Sequence, residues 1–73
     1  MIYCCSFAAF EAFLLAEGFV RAGEIDTHYL YERGDDVVTV HKPNGDVITV
    51  MEVESVCDFA GLTPPDLDQF WGD

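Results

Sequence analysis

Positive charge is what this sequence lacks. Its 73 residues hold three basic side chains, Arg21, Arg33 and Lys42, against 14 acidic ones, for a net charge of −11. Neutralising phosphates requires Lys and Arg, so direct binding to DNA or RNA is not expected, and docking on an anionic membrane is disfavoured for the same reason. Nothing after Lys42 is basic, while that remainder carries Asp46, Glu52, Glu54, Asp58, Asp66, Asp68 and Asp73. Cysteine is scarce too. Cys4, Cys5 and Cys57 are odd in number, two are adjacent, and no Cys-x-x-Cys occurs. That pattern argues against a disulfide framework and for reduced, buried thiols in a cytosolic protein. The apolar N-terminal stretch has no basic leader and is interrupted by Glu11 and Glu17, so neither a signal peptide nor a membrane span is expected. Repeats, linkers and low-complexity segments are missing, and no catalytic motif is present.

What the chain does have is apolar bulk. Hydrophobic residues make up 51% of it, including six Phe, three Tyr and one Trp, which makes residues 1–73 a single small folding domain and not a disordered acidic tail. Met1 to Cys5 reads either as an extra strand or as an anchored terminus. Ser6 is a candidate N-cap for a helix over Phe7–Glu17, with Phe7, Phe10, Phe13 and Leu14 as its apolar stripe and Gly18 as its stop. Phe19–Ile25 has extended character weakened by Gly23. Thr27–Arg33 is a clearer strand, followed by a two-residue loop at Gly34-Asp35 that sets Tyr31 opposite Val38, Tyr29 opposite Val40 and His28 beside His41.

Two β-branched runs around Lys42-Pro43-Asn44-Gly45 then suggest a second hairpin, closed by a type I turn and a glycine bulge. Its register would put His41 opposite Val47, Val40 opposite Ile48, Thr39 opposite Thr49 and Val38 opposite Val50. From about Met51 the period changes to helical, with Val53, Val56, Cys57 and Ala60 on one face and Gly61 as the stop. Thr63, Pro64 and Asp66 have the spacing of a capped final helix docked through Leu67, Phe70 and Trp71. The expected fold is α+β: a three-stranded antiparallel meander with an N-terminal helix and C-terminal helices, in the order α-β-β-β-α-α.

The candidate chemistry is thin. His28 and His41 become cross-strand neighbours, but a metal site would need a third ligand, and Cys4, Cys5 and Cys57 suit by chemistry but not by ligand spacing, so no metal or cofactor is expected. No nucleophile accompanies the histidines, Asp35 and Asp36 fit a solvated turn, and Cys57 falls on a buried helical face where a thiol is inert. An enzyme is not expected. The acids are more informative. Glu54 and Asp58 form a like-charge pair four residues apart, which costs roughly 0.2–0.5 kcal/mol, and Asp68 and Asp73 lie where a helix dipole prefers cations. Such placements fit either a merely solubilising face or a surface for a basic partner. On the second reading the contact residues are Glu52, Glu54, Asp58, Asp66 and Asp68, then Asp35 and Asp36. Trp71 is read either as core packing or as an interface anchor.

Two resemblances follow. The helix leading to Gly18-Phe19, the segment Pro43-Asn44-Gly45-Asp46-Val47-Ile48-Thr49-Val50 and the closing Ala60-Gly61-Leu62-Thr63 resemble the HicA toxin family. That resemblance implies a small α-β-β-β-α domain of the double-stranded-RNA-binding type. It does not extend to the ribonuclease site, because His28 follows Asp26-Thr27 where the family has Gly-Ser before its histidine. In size, acidity and lack of catalytic motif the chain is similar in type to phage-encoded anti-CRISPR proteins and other DNA mimics. This second resemblance implies a stoichiometric inhibitor, acting in the cytoplasm of a bacterial host on a basic subunit of a nucleic-acid-binding effector complex. A homodimer through an exposed sheet face of Val37, Val47 and Met51 is a further expectation.

Overall fold

The computed structural model describes residues 4–63. In chain order they form β1 (Cys4–Ser6), α1 (Phe7–Ala16), β2 (Val20–Ile25), β3 (His28–Arg33), β4 (Asp36–His41), β5 (Val47–Thr49) and α2 (Val50–Ala60). The fold is α+β, with a three-stranded antiparallel meander between two helices. Its strands are β2, β3 and β4, however, and β1 and β5 make a separate antiparallel pair. The final helix expected from Thr63, with Asp66, Asp68 and Trp71, lies outside the described residues.

Helix α1 starts where the sequence signals it. Ser6 is extended, and its Oγ accepts the Ala9 N–H at 3.2 Å. The helix buries Phe7, Phe10 and Leu14. It ends in a Schellman motif: Gly18 N–H donates to Leu15 O and Phe19 N–H to Leu14 O, both at 3.0 Å, with Gly18 at φ 98°. Helix α2 closes the same way. Gly61 at φ 73° lets Leu62 N–H reach Cys57 O at 2.8 Å, and Val53, Val56 and Cys57 face inward.

The β3–β4 register is the expected one, with Tyr31 opposite Val38, Tyr29 opposite Val40 and His28 opposite His41. Strand β2 adds to the other edge of β3 through an irregularity between Arg21 and Gly23. Both helices cover the sheet face that carries Tyr31, Val38 and Val40, and these join Phe10, Leu14, Phe19, Ile48 and Val53 in one core. Strand alternation turns Val20, Ile25 and Val37 to the opposite side, where each is more than 40% exposed.

The Val37–Val50 hairpin does not form. Lys42 N–H still donates to Thr27 O at 2.8 Å, extending the β3–β4 ladder by one residue, but Pro43 has no N–H with which to continue. The edge of β4 that β5 would need is also taken, because His41 N–H donates to the Glu52 carboxylate at 3.1 Å. Strand β5 pairs instead with β1, setting Cys5 opposite Ile48 and Ser6 opposite Val47. Asp46 fixes this arrangement. Its Oδ2 accepts from Ser6 Oγ at 2.7 Å, its Oδ1 from Ala8 N–H at 3.0 Å and its carbonyl from Phe7 N–H at 3.2 Å. The expected inward face survives in part, since Val38, Val40 and Ile48 are buried, although Ile48 arrives from a different sheet. Thr49, expected opposite Thr39, is instead the N-cap of α2 and accepts Glu52 N–H at 3.2 Å.

Replacing Asp46 with Ala removes both acceptors at the start of α1 and is expected to cost about 1–3 kcal/mol in urea unfolding, with Asp46→Asn recovering part of it. Gly61→Ala is expected to cost about 1–2 kcal/mol from the left-handed backbone alone, since an added Cβ there meets nothing within 4 Å.

Candidate functional site

All three cations of the chain are committed internally, on the helix-covered side of the sheet. Arg21, beside Tyr31 in the ladder, donates Nε and Nη2 to Glu11 Oε2 at 2.8 and 2.5 Å and lies 4.1 Å from the Tyr29 ring centre. The hydroxyl of fully buried Tyr31 donates to the same carboxylate oxygen at 2.7 Å. Burial first, and then that bond to Glu11, push the phenol well above its usual range, while the Glu11 carboxylate raises the Arg21 value. Arg33 donates to Glu17 O at 3.1 Å and to Asp36 at 3.3 Å, with its guanidinium 4.6 Å from the Phe19 ring centre. Lys42 Nζ lies 2.5 Å from Glu24 Oε1, and this bond holds the Glu24 carboxyl below the ordinary range. These contacts place every positive charge over an aromatic ring or against a carboxylate, or both.

The expected contact acids then separate by what they touch. Glu52 is half-buried and tied to His41 N–H, so it joins α2 to β4. Thr49 and Glu52 have capping-box spacing, but the carboxylate reaches across to β4 instead of back to Thr49. Asp36 is matched by Arg33, and Asp35 stands exposed in the β3–β4 turn. Glu54 and Asp58 are exposed on α2, and no cation of the chain is left to pair with them among the described residues. Asp66, Asp68 and Trp71 lie outside the described residues.

On the same outward arc of α2, Met51 is 80% and Phe59 76% exposed. The sequence reading placed Met51 on an exposed sheet face and passed over Phe59. On a helical wheel Met51 stands about a third of a turn or more from Val53, Val56 and Cys57, and Phe59 about a sixth of a turn beyond Val56 at the edge of the stripe. The expected face of Val37, Val47 and Met51 does not exist as one sheet surface. Val37 is on β4, Val47 on β5 and Met51 on α2, because the hairpin that would have aligned them is not formed.

On the open face of the meander the two histidines meet edge to face, with ring centres 4.8 Å apart, and Thr27 Oγ1 lies 3.2 Å from His28 Nδ1. Among the described residues no group of three or more His, Cys, Asp or Glu side chains gathers as a metal cage would. A cleft of about 220 Å³ lies between the β4–β5 connection and the start of α2, lined in part by His41, Pro43, Asn44 and Thr49. It falls below the ~300–1,000 Å³ usual for a small-molecule site. No helix of the described residues is long and apolar enough to cross a membrane.

Comparison with known proteins finds no matching family model, no similar curated protein and no similar solved structure. Neither resemblance suggested by the sequence therefore gains a match.

Burial, followed by the charge of Glu17, pushes the Cys57 thiol up to about 11. Native Cys57 is expected to resist iodoacetamide at pH 8 and to react only on unfolding, as read by peptide mass mapping. Rapid alkylation of the folded protein would contradict its buried placement.

Proposed function

We propose that this chain is a non-enzymatic acidic inhibitor that binds a basic protein surface, with the outward face of α2 as its contact. One observation carries the reading: among the described residues Glu54 and Asp58 have no cation paired with them, and they share a helix face with exposed Met51 and Phe59. Each half of that arrangement is unfavourable for the isolated chain. The carboxylates repel one another across one turn, and two large apolar side chains lie in water. A partner presenting an apolar depression rimmed by Lys or Arg relieves both. The apolar residues would act as anchors and the acids would set orientation and association rate.

The internal commitment of Arg21, Arg33 and Lys42 supports the same reading, because it leaves no free Lys or Arg among the described residues to repel a basic surface. The partner class that fits is a subunit of a nucleic-acid-binding effector complex, whose Lys/Arg channel is built for phosphates and accepts carboxylates in their place. Asp35 is a further exposed carboxylate, in the β3–β4 turn, and Glu52 keeps α2 in position through its bond to His41 N–H.

The partner is sought by pull-down from a bacterial host lysate at low and high salt, and its affinity for the parent and variants is then measured directly. Glu54→Lys with Asp58→Lys is expected to abolish binding without lowering the melting temperature, since both side chains are exposed. Phe59→Ala is expected to weaken binding about tenfold or more, in the range of an anchor worth over 1 kcal/mol. Unchanged affinity in the doubly reversed variant would overturn the proposal.

A second reading, a degenerate HicA-like module, is favoured by one observation. The order α1-β2-β3-β4-α2 sets His28 at the start of the middle strand, on the open sheet face. Cleavage of structured RNA that disappears in His28→Ala would select this reading. The net charge of −11 weighs against it.

A further inference from the structure

The histidine pair on β3 and β4 belongs neither to the ion pairs of the helix-covered face nor to the acidic face of α2. His28 and His41 are the only histidines in the chain, 13 positions apart, and the β3–β4 register sets them directly opposite one another. Their pairing is of the non-hydrogen-bonded kind. The next pair outward, Thr27 and Lys42, carries the ladder bond, and His41 N–H points away from β3 to Glu52. Side chains stand closest at such positions. The rings lie with centres 4.8 Å apart. Two imidazoles bound at ~2.0–2.1 Å to one tetrahedral ion have ring centres about 5 Å apart, so the backbone already holds the rings at chelating separation. His28 is half-buried and His41 exposed, so side-chain torsions on this face have room to adjust toward a shared ion.

We propose that His28 and His41 form an open, two-ligand site for a divalent transition ion of the zinc or nickel class. Imidazole selects that class over calcium or magnesium, which take oxygen ligands. Thr27 supplies the outer contact that such ligands normally have. In the tautomer where His28 Nδ1–H donates to Thr27 Oγ1, at 3.2 Å, Nε2 carries the free lone pair. The electrostatics also favour a cation. The neighbours of the pair on this face are Ile25, Leu30 and Thr39, the adjacent Lys42 is turned to the other face and held by Glu24, and Glu52 places its carboxylate on the backbone of His41. The remaining coordination positions stay open to water or to an outside ligand.

The test is titration of the full chain with zinc chloride and with nickel chloride, by calorimetry and by the imidazole proton resonances. Expected are saturable one-to-one binding, shifts confined to His28, His41 and their neighbours, and a melting temperature that rises with metal. His28→Ala and His41→Ala should each lower the affinity at least tenfold, and Thr27→Ala by about 10–100-fold as an outer-contact loss. Circular dichroism checks that these exposed-face variants keep the fold. Absence of saturable binding would overturn the proposal. So would binding that persists in the His28→Ala/His41→Ala double variant, since it would place the ion on thiols or carboxylates. Neither result bears on the acidic face of α2.

Discussion

The carboxylate of Asp46 is the contact on which the arrangement of this chain depends. It caps a helix that begins about forty residues earlier, and with its own carbonyl it satisfies three donors at the junction of β1 and α1. A helix start leaves four N–H groups without intrahelical partners, and acceptors supplied to them stabilise the helix. Supplying the acceptors from the β4–β5 connection draws β5 away from β4 and onto β1. Helix α2 follows immediately, so its position against β4 is set by the same junction. The second constraint is the Glu52 bond to His41 N–H, which occupies the edge of β4 that β5 has vacated. Together the two carboxylates decide the topology.

A chain with so few cations has to place them where they count most. Glu11 accepts from Arg21 and from Tyr31 through a single oxygen, linking α1 to β2 and β3 at the edge of the core. Exposed ion pairs contribute little on their own, with a median of about 0–1 kcal/mol. This one gains from the buried phenol and from the Tyr29 ring beneath the guanidinium. Glu54 and Asp58, by contrast, have none of the chain's three cations beside them among the described residues and are exposed on helix α2. Its inward stripe is short and aliphatic, while its outward arc combines two carboxylates with a methionine and a phenylalanine.

Much of the fold was legible in the sequence wherever a local signal and a tertiary role agreed. Ser6 and Gly18 bound α1, Gly61 ends α2, and Gly34-Asp35 fixes the β3–β4 register to the residue, including the meeting of the histidines. The errors arose where one segment had two competing partners. Val47–Thr49 has the composition of a hairpin arm, and local pairing with β4 was the natural reading. The distant capping of α1 by Asp46 cannot be seen by scanning along the chain. Strand β2 was underestimated because Gly23 suggested a break, whereas the ladder absorbs the irregularity next to it. For the candidate site, Glu54 and Asp58 were legible from their spacing alone. The structural role of Glu52 was not, because its partner is a backbone N–H on another element. Met51 was expected to be exposed, but on a sheet face and not on α2, and Phe59 was passed over.

Lys42 carries the one side-chain amine of the chain, and it is already engaged, with Glu24 at its tip and the Tyr29 ring alongside. Any chemistry directed at lysine side chains, whether an acylating enzyme, an isopeptide-forming tag or an amine crosslinker, has this single point of attack within the sequence. To use it, such chemistry must first pull the ammonium out of its ion pair. The shortage of positive charge thus leaves the protein with a single lysine as a handle for such modification.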